Sequence, residues 1–215
     1  MTHPIWPLFD LHVTTPQLEL RYIDDELGCE LALLAAQGVH AADFMPFVIE
    51  WTDVPADRLT VESMQYYWRC RAELTSESWS INFAVIVDGR VIGSTGLGAK
   101  NYPVLREFET GSWLGLEHQG KGFGKEFRQA CLHLGFAGLG AVMATTGAYH
   151  DNGPSLGVTR SLGYTETGRR RGVRRGRPDE LIGFRMPREH WEQNLRRDDI
   201  EIHGLEPCLA LLGAT

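Results

Sequence analysis

Gln119-Gly120-Lys121-Gly122-Phe123-Gly124-Lys125 sets three glycines at alternate positions, after the strand-like run Phe108 to Leu116 and before a helix-like run, Glu126 to Leu139. Glycines between a strand and a helix leave main-chain N–H groups free at a helix N-terminus. Without side chains there, an anion can approach the backbone closely. The expected chemistry is a grip on a pyrophosphate. Two common phosphate loops do not fit. The P-loop needs four residues between its glycines and a Ser or Thr after the Lys; here three residues separate Gly120 from Gly124, and Glu126 follows Lys125. The dinucleotide fingerprint G-x-G-x-x-G has a different spacing.

The remaining pattern is Q-x-x-G-x-G, formed by Gln119, Gly122 and Gly124. It resembles the coenzyme A loop of the GNAT acetyltransferases. Upstream, Glu109-Thr110-Gly111-Ser112-Trp113-Leu114 is similar to the family's central strand, E-x-G-Y-W-L, with Ser112 where an aromatic is usual. Downstream, Asn152 and Ser155 precede Val158, Leu162, Gly163 and Tyr164. That run resembles the N-x-x-S-x-x-V-x-x-x-L-G-F/Y pattern of the RimJ/RimL-like branch, which includes ribosomal-protein N-terminal acetyltransferases. The likeness covers Leu18 to Arg188 in layout and is specific from Glu107 to Tyr164.

The resemblance implies acetyl-CoA as cofactor and transfer of its acetyl group to a primary amine, a protein N-terminus or a small molecule, by direct attack in a ternary complex. Such a reaction needs a held cofactor, a neutral nucleophile, a stabilised oxyanion and a proton for the leaving thiolate. The N–H groups from Gly120 through Phe123 to Gly124 are expected to hold the pyrophosphate. Lys121 and Lys125 add positive charge or simply face solvent, and Gln119 orients the loop or is a surface amide. Backbone near Leu114, Gly115 and Leu116 aligns the pantetheine arm, or is a plain strand end. The family likeness implies that Asn152 contacts the pantetheine and that the Ser155 hydroxyl protonates the thiolate. Both are also ordinary residues for a first helical turn. Arg160 is a candidate for the adenosine end or a surface arginine. For the base, Glu109 comes first, with Glu107 sharing its side-chain direction; His150 comes second, on its intrinsic pKa. The acceptor is expected over Trp113, walled by Phe44, Phe47 and Trp51, with Asp43, Glu50 and Asp53 drawing a cationic amine. The aromatics equally suit a core beneath a loop.

The elements that must position these groups read as mixed α/β with a mostly antiparallel central sheet, the GNAT layout. In that fold, strands Phe108–Leu114 and Ala141–Tyr149 splay apart around the cofactor. Leu18 to Ile23 alternates as a half-buried strand, and Asp24-Asp25-Glu26 starts a helix. Asp88-Gly89 is a hairpin turn between strands Asn82–Val87 and Val91–Leu97. Tyr164–Gly168 and Leu181–Met186 close the sheet. Residues 1–187 form the catalytic domain, and 188–215 form an extension that packs on it or on a second subunit of a homodimer.

With 43% hydrophobic and 23% charged residues, the chain has material for a full core. A net charge of −7 argues against nucleic acid as the main partner. No apolar run approaches a membrane span, and Met1 to Leu11 does not read as a signal peptide. Cys29, Cys70, Cys131 and Cys208 form no C-x-x-C pair and read as reduced, mostly buried thiols of a cytoplasmic protein, without metal. Six arginines crowd Arg169 to Arg177, read as a solvated hairpin tip or as a clamp on an acidic group. A non-catalytic acyl-CoA-binding or regulatory module and a transferase of longer acyl groups remain the alternatives.

Overall fold

The structure is a computed structural model that describes residues 3–215. Met1 and Thr2, the start of the segment read above as no signal peptide, lie outside the described residues. Nine strands form one sheet: β1 His12–Thr14, β2 Glu19–Tyr22, β3 Trp79–Val87, β4 Arg90–Ala99, β5 Glu107–Leu114, β6 Met143–Tyr149, β7 Thr165–Arg174, β8 Arg177–Pro187 and β9 Glu201–His203. Their order is β7-β8-β6-β5-β4-β3-β2-β1-β9. Every neighbouring pair is antiparallel except β5–β6. Parallel neighbours cannot be joined by a tight turn and need a crossover. Here the crossover is helix α4, Phe123–His133, continued by a π-helical turn, Leu134–Gly138. The glycine loop is the first half of that crossover.

Local chemistry explains most boundaries. Asp24 caps helix α1 (Asp25–Ala36): its Oδ1 accepts from Leu27 N–H at 2.8 Å. Asp88 and Gly89 both have positive φ, 49° and 73°, as the two-residue β3–β4 hairpin requires. Helix α2, Ala56–Ala72, starts directly after Pro55, whose fixed φ suits the position before a first helical turn. The one-turn helix α3, Tyr102–Leu105, is bounded by left-handed Asn101 and Arg106. Helix α5 spans Gly153–Ser161 and α6 spans Arg188–Asn194.

Sequence reading misses β1 and β9, which are three residues each and carry no alternation long enough to detect. It also ends the β7 strand too early. The strand continues through the arginine cluster to Arg174, and the turn is Arg175-Gly176. The exposed alternation of Arg169 to Val173 hides this strand from a hydrophobic pattern.

The sheet has two faces. Phe108, Thr110, Ala144, Thr146 and Ala148 turn toward α4, the π turn and the C-terminal segment, in the main core. Within that core Phe136 stacks between Phe108 and Trp191, at 5.4 and 5.3 Å between centroids. Trp191, Ile200, Cys208 and Leu212 of the last segment belong to the same core, and Trp79 Nε1 donates to the Leu212 carbonyl at 2.9 Å. Glu107, Glu109, Gly111 and Trp113 turn the other way, toward α1 and α2. Of the four thiols, only Cys131 and Cys208 are buried; Cys29 is exposed and Cys70 half-buried, a correction to the expectation of mostly buried thiols. No helix of the described residues is long and apolar enough to cross a membrane.

The π turn sits against the sheet because Gly135 has no side chain. A Cβ there would lie 2.2 Å from Phe108 Cζ. Gly135→Ala is therefore expected to lower unfolding free energy by about 1–3 kcal/mol, the usual range for overpacking. Urea denaturation measures it, and an unchanged midpoint would show that the ring has room to move.

Candidate active site

In the loop, Gly120 and Gly122 have φ of 74° and 89°, and a Cβ on either would meet nothing within 4 Å. Only glycine adopts these angles without strain. Gly122 is the N-cap of α4 and makes no side-chain cap. Lys125 and Glu126 N–H donate to the Gly122 carbonyl. Among the described residues, the amides of Gly120, Lys121, Gly122, Phe123 and Gly124 donate to no protein group. The first amides of a helix have no intrahelical partner, and these exposed or half-exposed ones are open to water or to an external acceptor. Lys121 and Lys125 are exposed beside it and join no ion pair of the described residues. Gln119 is more than a surface amide: its Nε2 donates to the carbonyls of Val39, at 2.7 Å, and Leu114, at 2.9 Å. It ties the loop to the end of β5 and to the chain after α1.

The strand edge beside the loop is equally unsatisfied. Gly115 N–H donates to the Ile92 carbonyl at 3.0 Å. That bond sets the parity of the β4–β5 ladder. Residues 109, 111 and 113 bond to β4, and 110, 112 and 114 present their N–H and C=O on the opposite edge. There, β6 pairs only with Glu107, Phe108 and Glu109, through Met143, Ala144 and Thr145. Beyond that point the strands part. The Thr110 carbonyl accepts from Thr146 Oγ1 at 3.1 Å and the Leu114 carbonyl from Gln119. The Ser112 and Leu114 amides face the gap. The Gly115 and Leu116 amides are committed to Ile92 and Gly38, so of the three positions expected to align a pantetheine arm, Leu114 alone offers a free N–H. Ser112, seen in the sequence only as a departure from the family strand, shares that edge.

Asn152 caps α5. Its Oδ1 accepts from Ser155 N–H at 3.2 Å, and its Nδ2 donates to the Pro46 carbonyl at 3.3 Å. One N–H of its buried side chain is left for a ligand. Ser155 is half-buried, and its hydroxyl makes no hydrogen bond among the described residues. Arg160 lies over Phe184 and 4.0 Å from Glu166, on the β7–β8 side of α5. His150 ends β6, with Nδ1 3.1 Å from Asp179.

On the α1–α2 face, Trp51 stacks on Trp113 at 5.7 Å and Phe47 on Trp51 at 5.2 Å. Phe44 lies apart from them, beneath Arg174. Arg174 also covers Tyr149, at 4.4 Å from the ring centroid. The Tyr149 hydroxyl donates to the Val173 carbonyl, and burial pushes its pKa up. It is therefore a poor proton donor at the gap. Between these walls the sheet floor is bare. Gly96 and Gly111 pair across β4 and β5, and on the other side of the gap Gly147, Gly183 and Gly168 pair across β6, β8 and β7; Gly111 faces open space.

The arginine hairpin is not only a solvated tip. Arg174 makes a bidentate pair with Asp151 at 2.8 and 2.7 Å, meets Asp179 at 2.5 Å and donates to the Met45 carbonyl. Arg175 makes a bidentate pair with Asp53, and its N–H donates to Glu50. The hairpin thus straps down segment 43–53, which carries the residues expected to wall the acceptor. Asp53 is already paired with Arg175, a correction to the expectation that it draws in a cationic amine, whereas Glu50 accepts only the uncharged main-chain N–H of Arg175 and keeps its charge. Asp43 is exposed and joins no ion pair among the described residues. Further carboxylates lie elsewhere. A groove of about 450 Å³ on this face is lined by Glu73, Glu107 and Glu109, with Lys100, Ser78 and Ser80. It reaches Glu109 and Thr145, the last pair before the strands part.

This architecture has known counterparts. The model of the acetyltransferase (GNAT) domain matches residues 18–165. The chain belongs to that family and is an N-acetyltransferase by class. Among solved structures, a GCN5-related N-acetyltransferase from Brucella melitensis matches at TM-score 0.66 and 20% identity, over 84% of this chain and 80% of its own. RimL, a ribosomal L7/L12 alpha-N-protein acetyltransferase in complex with coenzyme A, matches at 0.63 and 16%, over 80% and 95%. A chimera built on the spermidine N-acetyltransferase SpeG from Vibrio cholerae matches at 0.65 and 18%, over 83% and 99%.

The strap has a checkable signature. Asp53, Asp151 and Asp179 are held below their ordinary carboxylate pKa of 3.8; the Arg175 and Arg174 bonds lead for the first two, and the Glu180 backbone N–H, then Arg174, for Asp179. A depressed carboxylate contributes stability above its unfolded pKa and loses it as pH falls through the folded one. Amide exchange of residues 43–53, corrected for intrinsic rate, is therefore expected to stay slow from neutral pH down to about 4 and to speed up below. Arg175→Gln should speed it at neutral pH, while Arg170→Gln should not. Equal exchange in both variants would show that the wall stands without the strap.

Proposed function

We propose that this chain transfers the acetyl group of acetyl-CoA to a primary amine arriving through the acidic groove, in one ternary complex. The observation that carries the reading is the run of five uncommitted amides at the N-terminus of α4, continuous with the free Leu114 and Ser112 edge. When bound, the thioester supplies the acetyl group: the amine nitrogen bonds the acetyl carbon and the C–S bond breaks, its electron pair staying on sulfur. Everything else falls to this chain. The 120–124 amides grip the pyrophosphate, helped by the charges of Lys121 and Lys125. The β5 edge aligns the arm as a neighbouring strand would. Glu109, in the last β5–β6 pair before the strands part, takes the amine's proton directly or through water, and His150, tied to Asp179, stands second. Ser155, with an unspent hydroxyl, gives a proton to sulfur.

Glu73, Glu107 and Glu109 favour a cationic acceptor. RimL and SpeG act on a protein N-terminus and on spermidine, and both are amines of that kind. Free thiols and the lack of any long apolar helix among the described residues suit a cytoplasmic enzyme.

Thermal shifts with acetyl-CoA, succinyl-CoA and NAD test the cofactor. Stabilisation by the acetyl thioester is expected, whereas stabilisation by NAD alone would overturn the reading. Gly122→Ala, forced into a left-handed backbone that costs roughly 1–2 kcal/mol, should weaken coenzyme A binding about tenfold by calorimetry. Ser155→Ala and Glu109→Gln should each slow thiol release in an amine panel by about 10²-fold. The Glu109→Gln loss should shrink as pH approaches the acceptor's own pKa, about 10.4 for a lysine-like amine. Wild-type turnover in both variants would leave the site to positioning alone.

A further inference from the structure

Arg128 lies in the second turn of α4 and is 4% exposed, against the sheet where β5 and β6 part. A Nη1 hydrogen bond to Thr146 Oγ1, at 3.3 Å, holds it there, and that hydroxyl donates onward to the Thr110 carbonyl. The two threonines are the first residues past the last β5–β6 pair, so the guanidinium sits at the base of the gap. Its Nε makes no hydrogen bond. Neither do the Thr110 hydroxyl and the Tyr164 hydroxyl. These are three of the five buried side-chain polar atoms without a partner of good geometry among the described residues, and Tyr164 lies within reach of both Thr110 and Arg128.

No carboxylate of the described residues forms an ion pair with Arg128. Glu126, two residues earlier on α4, is turned to Arg197 at 2.7 Å. The titratable groups facing Arg128 are Tyr164 and Cys131. Burial pushes both upward, Cys131 to about 11, so both are neutral near pH 7. Thr110 and Thr146 on the strands carry no charge. A guanidinium cannot shed its proton in a protein, and burying one without a counter-charge is expensive. Phe127, Ala130, Cys131 and Leu132 around it on α4 are buried, so an aliphatic side chain would serve packing better. The charge calls for a use.

We propose that Arg128 supplies a fixed positive field for the sulfur of the acyl carrier as the acetyl group leaves. The inference rests on the reading that a coenzyme A thioester lies in the gap. The pyrophosphate end belongs to the exposed 120–124 turn. Arg128 is more than one helical turn further in, at the closed end of the gap, one residue past the Glu109–Thr145 pair and on the opposite face of the sheet from Glu109. The charge that develops there is on sulfur: the C–S bond breaks, the electron pair stays on sulfur, and the acetyl carbon is then bonded to the amine nitrogen. Arg128 neither gives nor takes a proton. It lowers the energy of the thiolate through a water-poor medium, where a fixed charge acts strongly, until Ser155 protonates the sulfur.

The test reads the thiol itself rather than turnover. Coenzyme A is bound to the full chain and its thiolate is titrated by ultraviolet absorbance, with desulfo-coenzyme A as blank, in wild type, Arg128→Met and Arg128→Lys. In wild type the bound thiol is expected to ionise about one pH unit or more below its value in Arg128→Met, the effect of a nearby opposite charge. Arg128→Lys should restore part of the difference, and acetyl transfer by Arg128→Met should fall about tenfold with coenzyme A affinity kept. Identical thiol titration in wild type and Arg128→Met overturns the proposal, as does identity with the neutral Arg128→Gln where the Met variant does not fold. Failure of wild type to bind coenzyme A sinks the cofactor reading instead, and the proposal with it.

Discussion

Two parallel strands that pair through Glu107–Glu109 and Met143–Thr145 and then diverge leave main-chain donors inside the molecule with nothing of the protein to bond. Such groups are normally satisfied. Here the divergence is maintained from both sides. Thr146 bridges to the Thr110 carbonyl at the closed end, and Gln119 holds the Leu114 carbonyl and the Val39 carbonyl at the open end. The parallel pairing itself demands the α4 crossover, and the crossover demands a turn out of β5 that ends in the three glycines. Gap, loop and helix N-terminus are thus one consequence of placing a single parallel pair in an antiparallel sheet.

The opposite wall is built from distant sequence. Segment 43–53 has no regular structure of its own, and its order comes from what it touches. Asn152 reaches Pro46, Arg174 reaches Met45, and Arg175 reaches Asp53 and Glu50. These bonds join residues more than a hundred positions apart. Asn152 works twice, since the oxygen that caps α5 and the nitrogen that fixes the wall belong to one amide. Anything that shifts α5 therefore shifts the wall and Ser155 together.

Local signals carried the sequence reading far. The alternating glycines, the Asp88-Gly89 turn, the Asp24 cap and the Asn152 cap each act within a few residues, and their outcomes are visible in the chain itself. Phe47 and Trp51 were expected near Trp113 as a wall, but the direct Trp51–Trp113 contact is seen only in the structure. What stayed hidden is long-range or contrary to pattern. β1 and β9 are edge pieces of three residues whose pairing depends on each other. The destination of Arg174 and Arg175 cannot be read from a run of arginines that looks solvated. Arg128 follows Phe127 in a helix whose apolar residues repeat at Phe127, Cys131 and Leu134, and a charged residue at that place is assigned to water unless the tertiary structure says otherwise.

The Gly96–Gly111 pair on one side of the gap and the Gly147–Gly183–Gly168 run on the other leave the sheet floor there poor in side chains. Such a floor has little with which to discriminate one guest from another. Selectivity must then reside in the rim: the aromatic segment before α2, the carboxylates of the groove and the strapping hairpin. Those parts are separable from the apparatus that grips the cofactor. Descendants of this chain could trade one rim for another and acquire new guests while the strands beneath, and the chemistry they support, stay as they are.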